Sequence, residues 1–263
     1  MPPRRRGAYP DLVRAVGLVL VAVLVGYLVV AAPLVGRQRY ERFRQRLASD
    51  PGARLALYRK APLRAAVMTA LILLAGIALE RAADDVDLRW PRVGVGLGMV
   101  AGFLVAFGFG TVLGLKQLHS ERGRAFVEAQ LGGARLLLPT TLTERHWSVA
   151  VAVAAGVWEE LAYRGFLAET VRTWQPTWGW FAVAVVTSAV FGLAHLYQGV
   201  KGVVLTGVLG LALASLTNST RSLVPAMVVH ALIDIRSLTV IGWELHRVTS
   251  ADAPVGDGHV APA

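Results

Sequence analysis

Long apolar runs alternate with short polar segments along this chain. The runs are Ala15–Gly36, Ala65–Leu79, Val93–Leu115, Trp147–Ala168, Phe181–Gln198, Gly202–Leu216 and Leu223–Trp243. Helices of roughly 20 apolar residues reach across a bilayer core. The short segments of alternating polarity that a membrane β-barrel needs do not occur. The pattern therefore predicts an all-α, polytopic transmembrane helical bundle of about seven spans, with bounds of six to eight. Ala65–Leu79 is short, and Leu63 with a snorkelling Arg64 extends it.

The segments between the runs suggest an orientation. Arg37–Arg64 carries nine Lys/Arg against Glu41 and Asp50, and reads as a cytoplasmic loop by the positive-inside rule. That assignment outweighs the arginines of the N-terminal tail and puts the C-terminus in the cytoplasm. Glu80–Arg92 is acidic and reads as an outer loop. Lys116–His146 has an amphipathic middle, Ala125–Leu138, suited to the interface. Trp174, Trp178 and Trp180 suit headgroup depth. Glu244–Ala263, rich in Gly, Pro, Asp and Ala, reads as a disordered tail. Arg4-Arg5-Arg6 before an apolar run has the form of a signal peptide. The run is long for one and Pro33-Leu34 is a poor cleavage site, so a retained helix is expected. Four segments result: 1–62 with one span and the basic loop, 63–146 with two spans and an interfacial loop, a core over 147–241, and the tail 242–263.

Composition agrees with a membrane protein. Hydrophobic residues make up 55% of the chain and charged ones 17%, with a mean hydropathy of +0.53. A soluble domain has about a quarter charged residues. The net charge of +10 is concentrated beside the membrane and implies a lipid surface as partner, without a nucleic-acid motif. With no cysteine, a thiolate metal site and a Cys nucleophile are excluded. In Val93–Leu115 small residues recur every fourth position (Gly94, Gly98, Gly102, Ala106, Gly110, Gly114), which predicts close helix packing.

Charge interrupts the runs of the core in a few places only. Glu160 and Arg164 share a helix face and read as a self-neutralising ion pair. Glu159 points about 100° away and has no local partner, so an acid held in an apolar setting is left for general acid–base work. His195 lies one turn after Phe191 on an otherwise uncharged helix and reads either as a structural histidine or as a ligand. His230 and Asp234 again share a face, as a His held by its carboxylate or as the same pair aimed at a metal or water. Arg236 is turned roughly 200° from Asp234. Left unpaired, six ionisable groups in hydrocarbon would cost on the order of 15 kcal/mol or more. Glu159, Glu160, Arg164, His195, His230 and Asp234 are therefore expected to converge on one polar pocket.

Glu159-Glu160-Leu-Ala-Tyr-Arg164, Phe191-Gly-Leu-Ala-His195 and His230-Ala-Leu-Ile-Asp234, in that order on successive helices, resemble the signature of the CAAX prenyl protease type II and bacteriocin-processing family. The resemblance covers about residues 147–241. It implies a glutamate-dependent intramembrane protease, often called a metalloprotease, of a bacterial cell membrane. The implied catalytic set is Glu159, Glu160, His195, His230 and Asp234, with Arg164 and Phe191 in support. Glu159 would activate water, His195 would assist it or bind metal, and Glu160 with Arg164 would brace the site. His230 and Asp234 would stabilise an oxyanion or complete a metal site. Some relatives have Asn where this chain has Asp234, and an ionised Asp cannot donate to an oxyanion. That tilts the reading toward a divalent cation, zinc before others, on His195, His230 and Asp234. There is no His-Glu-x-x-His, Ser188 lacks a Gly-x-Ser-Gly setting, and one core Asp cannot make an aspartyl dyad. The expected substrate is a membrane-associated peptide or protein. The alternatives are a catalytically silent membrane scaffold or immunity-type binding protein, and an ion or proton transporter.

Overall fold

The computed structural model describes residues 8–79, 87–91 and 93–251, and all the regular structure among them is helical. The chain opens with α1 (Ala8–Gly26), which passes through a π-helical turn at Tyr27–Ala31 into α2 (Ala32–Leu47) without a break. The basic segment expected as a loop is therefore mostly helix. Arg, Lys, Gln and Glu are good helix formers, and the chain turns only at Ala48–Gly52, where Pro51 and Gly52 interrupt it and the Asp50 carboxylate accepts from Gly52 N. α3 (Ala53–Ala78) starts immediately afterwards.

Most of the acidic segment Glu80–Arg92 lies outside the described residues. α4 (Val93–Gln117) leads to a short pair, α5 (Glu121–Leu131) and a 3-10 turn over Gly132–Leu137. Ser120 caps α5 by accepting from Gly123 N. The rest comprises α6 (Leu142–Glu160), α7 (Ala168–Trp174), α8 (Trp180–Ala194), α9 (Gly199–Thr220), α10 (Leu223–Asp234) and α11 (Gly242–Ala251). α6 and α7 are joined by a π-helical stretch at Leu161–Leu167, and α10 and α11 by another at Ile235–Ile241. Among the described residues five helices are long and apolar enough to cross a membrane, and Trp180–Ala194 is a shorter apolar one. Helix also continues through Ala251, where a disordered tail was expected from Glu244; residues 252–263 lie outside the described ones.

Packing brings α6 against α10. At their crossing stands Gly156, where an added Cβ would lie 2.8 Å from both Ala231 N and Met227 O. Only a residue without a side chain permits this approach. Leu24 and Leu28 of the first helix and Ile72 and Ala75 of α3 join Leu161, Ala162, Phe166 and Phe191 in one buried cluster. The N-terminal helices thus hold the π-helical stretch that follows Glu160. The small-residue stripe of α4 is only half used. Gly110 and Gly114 meet Arg236 and Ile241, whereas Gly98 and Gly102 have open space around them and Ala106 is exposed.

Candidate active site

The sequence-predicted residues meet at the ends of three helices. Glu160 closes α6 and is fully buried, with 0% of its side chain exposed. Its Oε1 accepts from Arg164 Nη1 at 2.9 Å and from His230 Nδ1 at 2.7 Å. His230 is therefore held by Glu160, 70 residues earlier, and not by Asp234, whose Oδ2 is 3.8 Å from His230 Nε2. The ring orientation follows from that hydrogen bond: with Nδ1 engaged, Nε2 faces the cleft.

His195 ends α8 and is set the same way by another partner. Its Nδ1 donates to the Phe191 carbonyl oxygen at 2.9 Å, leaving Nε2 free. The two Nε2 atoms then converge on one carboxylate oxygen, Oε2 of Glu159, at 4.0 Å from His195 and 3.8 Å from His230. These separations exceed hydrogen-bond length, so neither imidazole bonds directly to Glu159 and its carboxylate stays available to the cleft. Exposure grades the cluster: Glu159 (18%), His195 (16%) and Asp234 (32%) reach the cleft, while Arg164 and His230 stay at 2% and 4%.

Phe191 ties the cluster together. Its ring is T-shaped against His195 at 4.8 Å and against His230 at 5.8 Å, and the Arg164 guanidinium stacks over it at 4.2 Å. Tyr163 packs on the same ring at 5.0 Å. Edge-to-face contacts and a cation over a ring are directional, so one apolar side chain fixes both imidazoles and the arginine. Behind Arg164 lies a cavity of about 20 Å³, lined also by Thr187 and Thr217. Among the described residues Arg164 Nη2 and Thr217 Oγ1 have no hydrogen-bond partner, and the volume is large enough for one water.

Two neighbours escaped the motif pattern. Tyr197, two residues past His195, packs on its ring at 5.8 Å and is backed by Tyr40 at 5.5 Å. The Tyr40 hydroxyl donates to Gly133 O. An aromatic residue this close to a motif histidine was the available signal for Tyr197; no signal existed for Tyr40, over 150 residues away.

Zinc would take imidazole and carboxylate donors, and the donor types here suit it. Their spacing does not. Tetrahedral ligands about 2.1 Å from zinc stand about 3.4 Å apart, closer than the 3.8 Å between His230 Nε2 and Asp234 Oδ2 of the expected ligand set and the 3.8 and 4.0 Å around Glu159. Among the described residues no group of three or more His, Asp or Glu is placed to hold a metal ion.

Residues 141–236 match the family described as type II CAAX prenyl endopeptidase, Rce1-like. No curated protein and no solved structure matches the chain. Every residue of the cluster falls inside the matched segment, so over residues 141–236 the chain is similar to the Rce1-like type II CAAX prenyl endopeptidases.

Proposed function

We propose that this protein is a membrane-embedded endopeptidase that hydrolyses a peptide bond in a membrane-associated peptide or protein, with Glu159 as general base. The observation that carries the reading is the convergence of both Nε2 atoms on Glu159 Oε2, with each Nδ1 already engaged. A cleft water hydrogen-bonded to Glu159 can pass it a proton while the water oxygen attacks the scissile carbonyl carbon. The carbonyl π pair moves to its oxygen. Protonated His230 donates from Nδ1 to Glu160 and from Nε2 to that oxyanion. Glu159 then delivers its proton to the leaving nitrogen as the C–N bond breaks.

Glu160, Arg164 and Phe191 are positioning residues in this scheme, since each acts through the imidazoles. Asp234, at the mouth of the cleft, faces His230 Nε2 and balances the charge of its protonated form. No step passes through a metal.

The test compares protein N-termini in host membranes containing the wild type or Glu159→Gln at matched abundance. New termini confined to the wild type are expected, and they identify the substrate. Cleavage that persists in the variant removes Glu159 as base; identical profiles favour a silent scaffold.

A further inference from the structure

Arg236 belongs to the last membrane-crossing helix, yet the catalytic cluster has no use for it. It points away from Glu159 toward α4. Its Cζ lies 5.7 Å from the centroid of the Phe107 ring, and a Cβ at Gly110 would stand 3.5 Å from its Nη1. Its Nε is buried without a hydrogen-bond partner, and among the described residues it has no ion pair. An uncompensated arginine inside a span is costly and marks a functional site by default.

Beside the guanidinium is a cavity of about 330 Å³, lined by Arg236, Gln117, Gln130, Leu113, Phe126 and Ile241. That volume lies within the range of about 300–1,000 Å³ found for ligand pockets. None of its lining residues belongs to the catalytic cluster. The lining combines a guanidinium and two amides with apolar side chains, of which Leu113 and Phe126 are largely exposed. Such a lining fits an anionic head joined to a hydrocarbon chain, and guanidinium matches a phosphate through paired N–H donors.

Position in the bundle selects between lipid and other anions. Residues 132–137, which follow α5, are tied to the basic segment: the Tyr40 hydroxyl donates to Gly133 O, and Arg54 Nε donates to Leu136 O. The cavity, lined by Gln117 and by Phe126 and Gln130 of α5, thus lies at the end of the molecule where Lys116, Arg122 and Arg124 add to the basic charge. Basic pockets between spans at that end receive anionic lipid headgroups.

We infer that the cavity between α4, α5 and Arg236 is a binding site for an anionic phospholipid, with the headgroup phosphate on Arg236 and Gln130 and a chain along Leu113 and Phe126. This inference does not rest on the proteolytic reading.

The experiment places full-length protein in nanodiscs of phosphatidylcholine, with and without phosphatidylglycerol. Thermal stability and retained lipid, counted by native mass spectrometry, are the readouts. The wild type should gain stability and keep phosphatidylglycerol. Arg236→Gln should lower its affinity for that lipid on the order of tenfold, as expected for one charge-assisted contact. Leu113→Trp fills part of the cavity without altering charge, should lose retention too, and carries the test if Arg236→Gln does not fold. Equal retention by wild type and both variants would overturn the site and leave general attraction to a basic surface. Inorganic phosphate giving the same stabilisation, or oleate binding in place of phosphatidylglycerol, would overturn the phospholipid assignment.

Discussion

Oε1 of Glu160 receives both His230 Nδ1, at 2.7 Å, and Arg164 Nη1, at 2.9 Å. One oxygen of a fully buried carboxylate thus joins α6 to α10 and fixes the ring that faces the cleft. Its neighbour Glu159 has no such bond and reaches the cleft directly. The adjacent acids therefore divide the work, and substitution should separate them.

Glu159→Gln should leave folding intact and lower turnover by about 10²–10⁴-fold, the usual worth of a general base. Glu160→Ala should fail differently. It leaves Arg164 charged and buried without its partner, a loss of about 3–5 kcal/mol, so the melting temperature should fall along with activity. Thermal denaturation in detergent, run beside a peptidase assay, checks both. A Glu160→Ala protein as stable as the wild type would show that the Glu160–Arg164–His230 link does not hold the helices.

Phe191→Leu removes the ring that contacts His195, His230 and Arg164. An apolar side chain remains, so the packing loss should stay below the roughly 3–5 kcal/mol of Phe→Ala. Orientation suffers more than folding. The expected signature is a fall in kcat with KM little changed, because interactions that act in the transition state are lost while substrate binding is kept. A change confined to KM would instead make Phe191 a substrate contact.

The ingredients of the site were legible because ionisable groups stand out in apolar runs, and the three motif spacings place each pair on one helix face. Their pairing was less so. The i, i+4 spacing of His230 and Asp234 suggested that these two hold each other, but the ring turns to Glu160 on another helix, and no local rule reports a partner 70 residues away. The π-helical stretch Leu161–Leu167 was also invisible. Nothing in its sequence marks it, and its residues are buried against α1, α3 and α8, so tertiary packing decides its form. The basic segment was misread as a loop because charge signals membrane topology, while helix propensity there stayed high.

Gly210 tests how tightly Arg164 is held from behind. A Cβ there would lie 2.9 Å from Arg164 Nη2, 3.1 Å from Phe191 Cδ1 and 3.2 Å from Ser188 Cβ. Arg164 is pinned by Glu160 and by the Phe191 ring, so it cannot swing aside freely. Gly210→Ala should therefore cost about 1–3 kcal/mol, as overpacking does, and should lower kcat although the glycine is remote from substrate. Gly98→Ala on the open face of α4 is the control and should change neither. A neutral Gly210→Ala would mean that α9 shifts without disturbing the arginine.

Chelation addresses the chemistry most directly. The imidazole and carboxylate atoms around Glu159 stand 3.8–4.0 Å apart, wider than tetrahedral zinc ligands at about 3.4 Å. If water is activated by Glu159 alone, dialysis against a strong chelator should leave peptidase activity unchanged, and added zinc should not raise it. Asp234→Asn then gives a second reading from the same assay. An amide can donate to an oxyanion where an ionised carboxylate cannot, so without a metal the variant should keep activity within about tenfold of the wild type, one lost or gained hydrogen bond being worth on that order. With Asp234 as a cation ligand, the same change should abolish activity, and chelation should do so as well. Loss in both experiments, restored by zinc in the wild type only, would replace the glutamate–water mechanism with a metal centre on His195, His230 and Asp234.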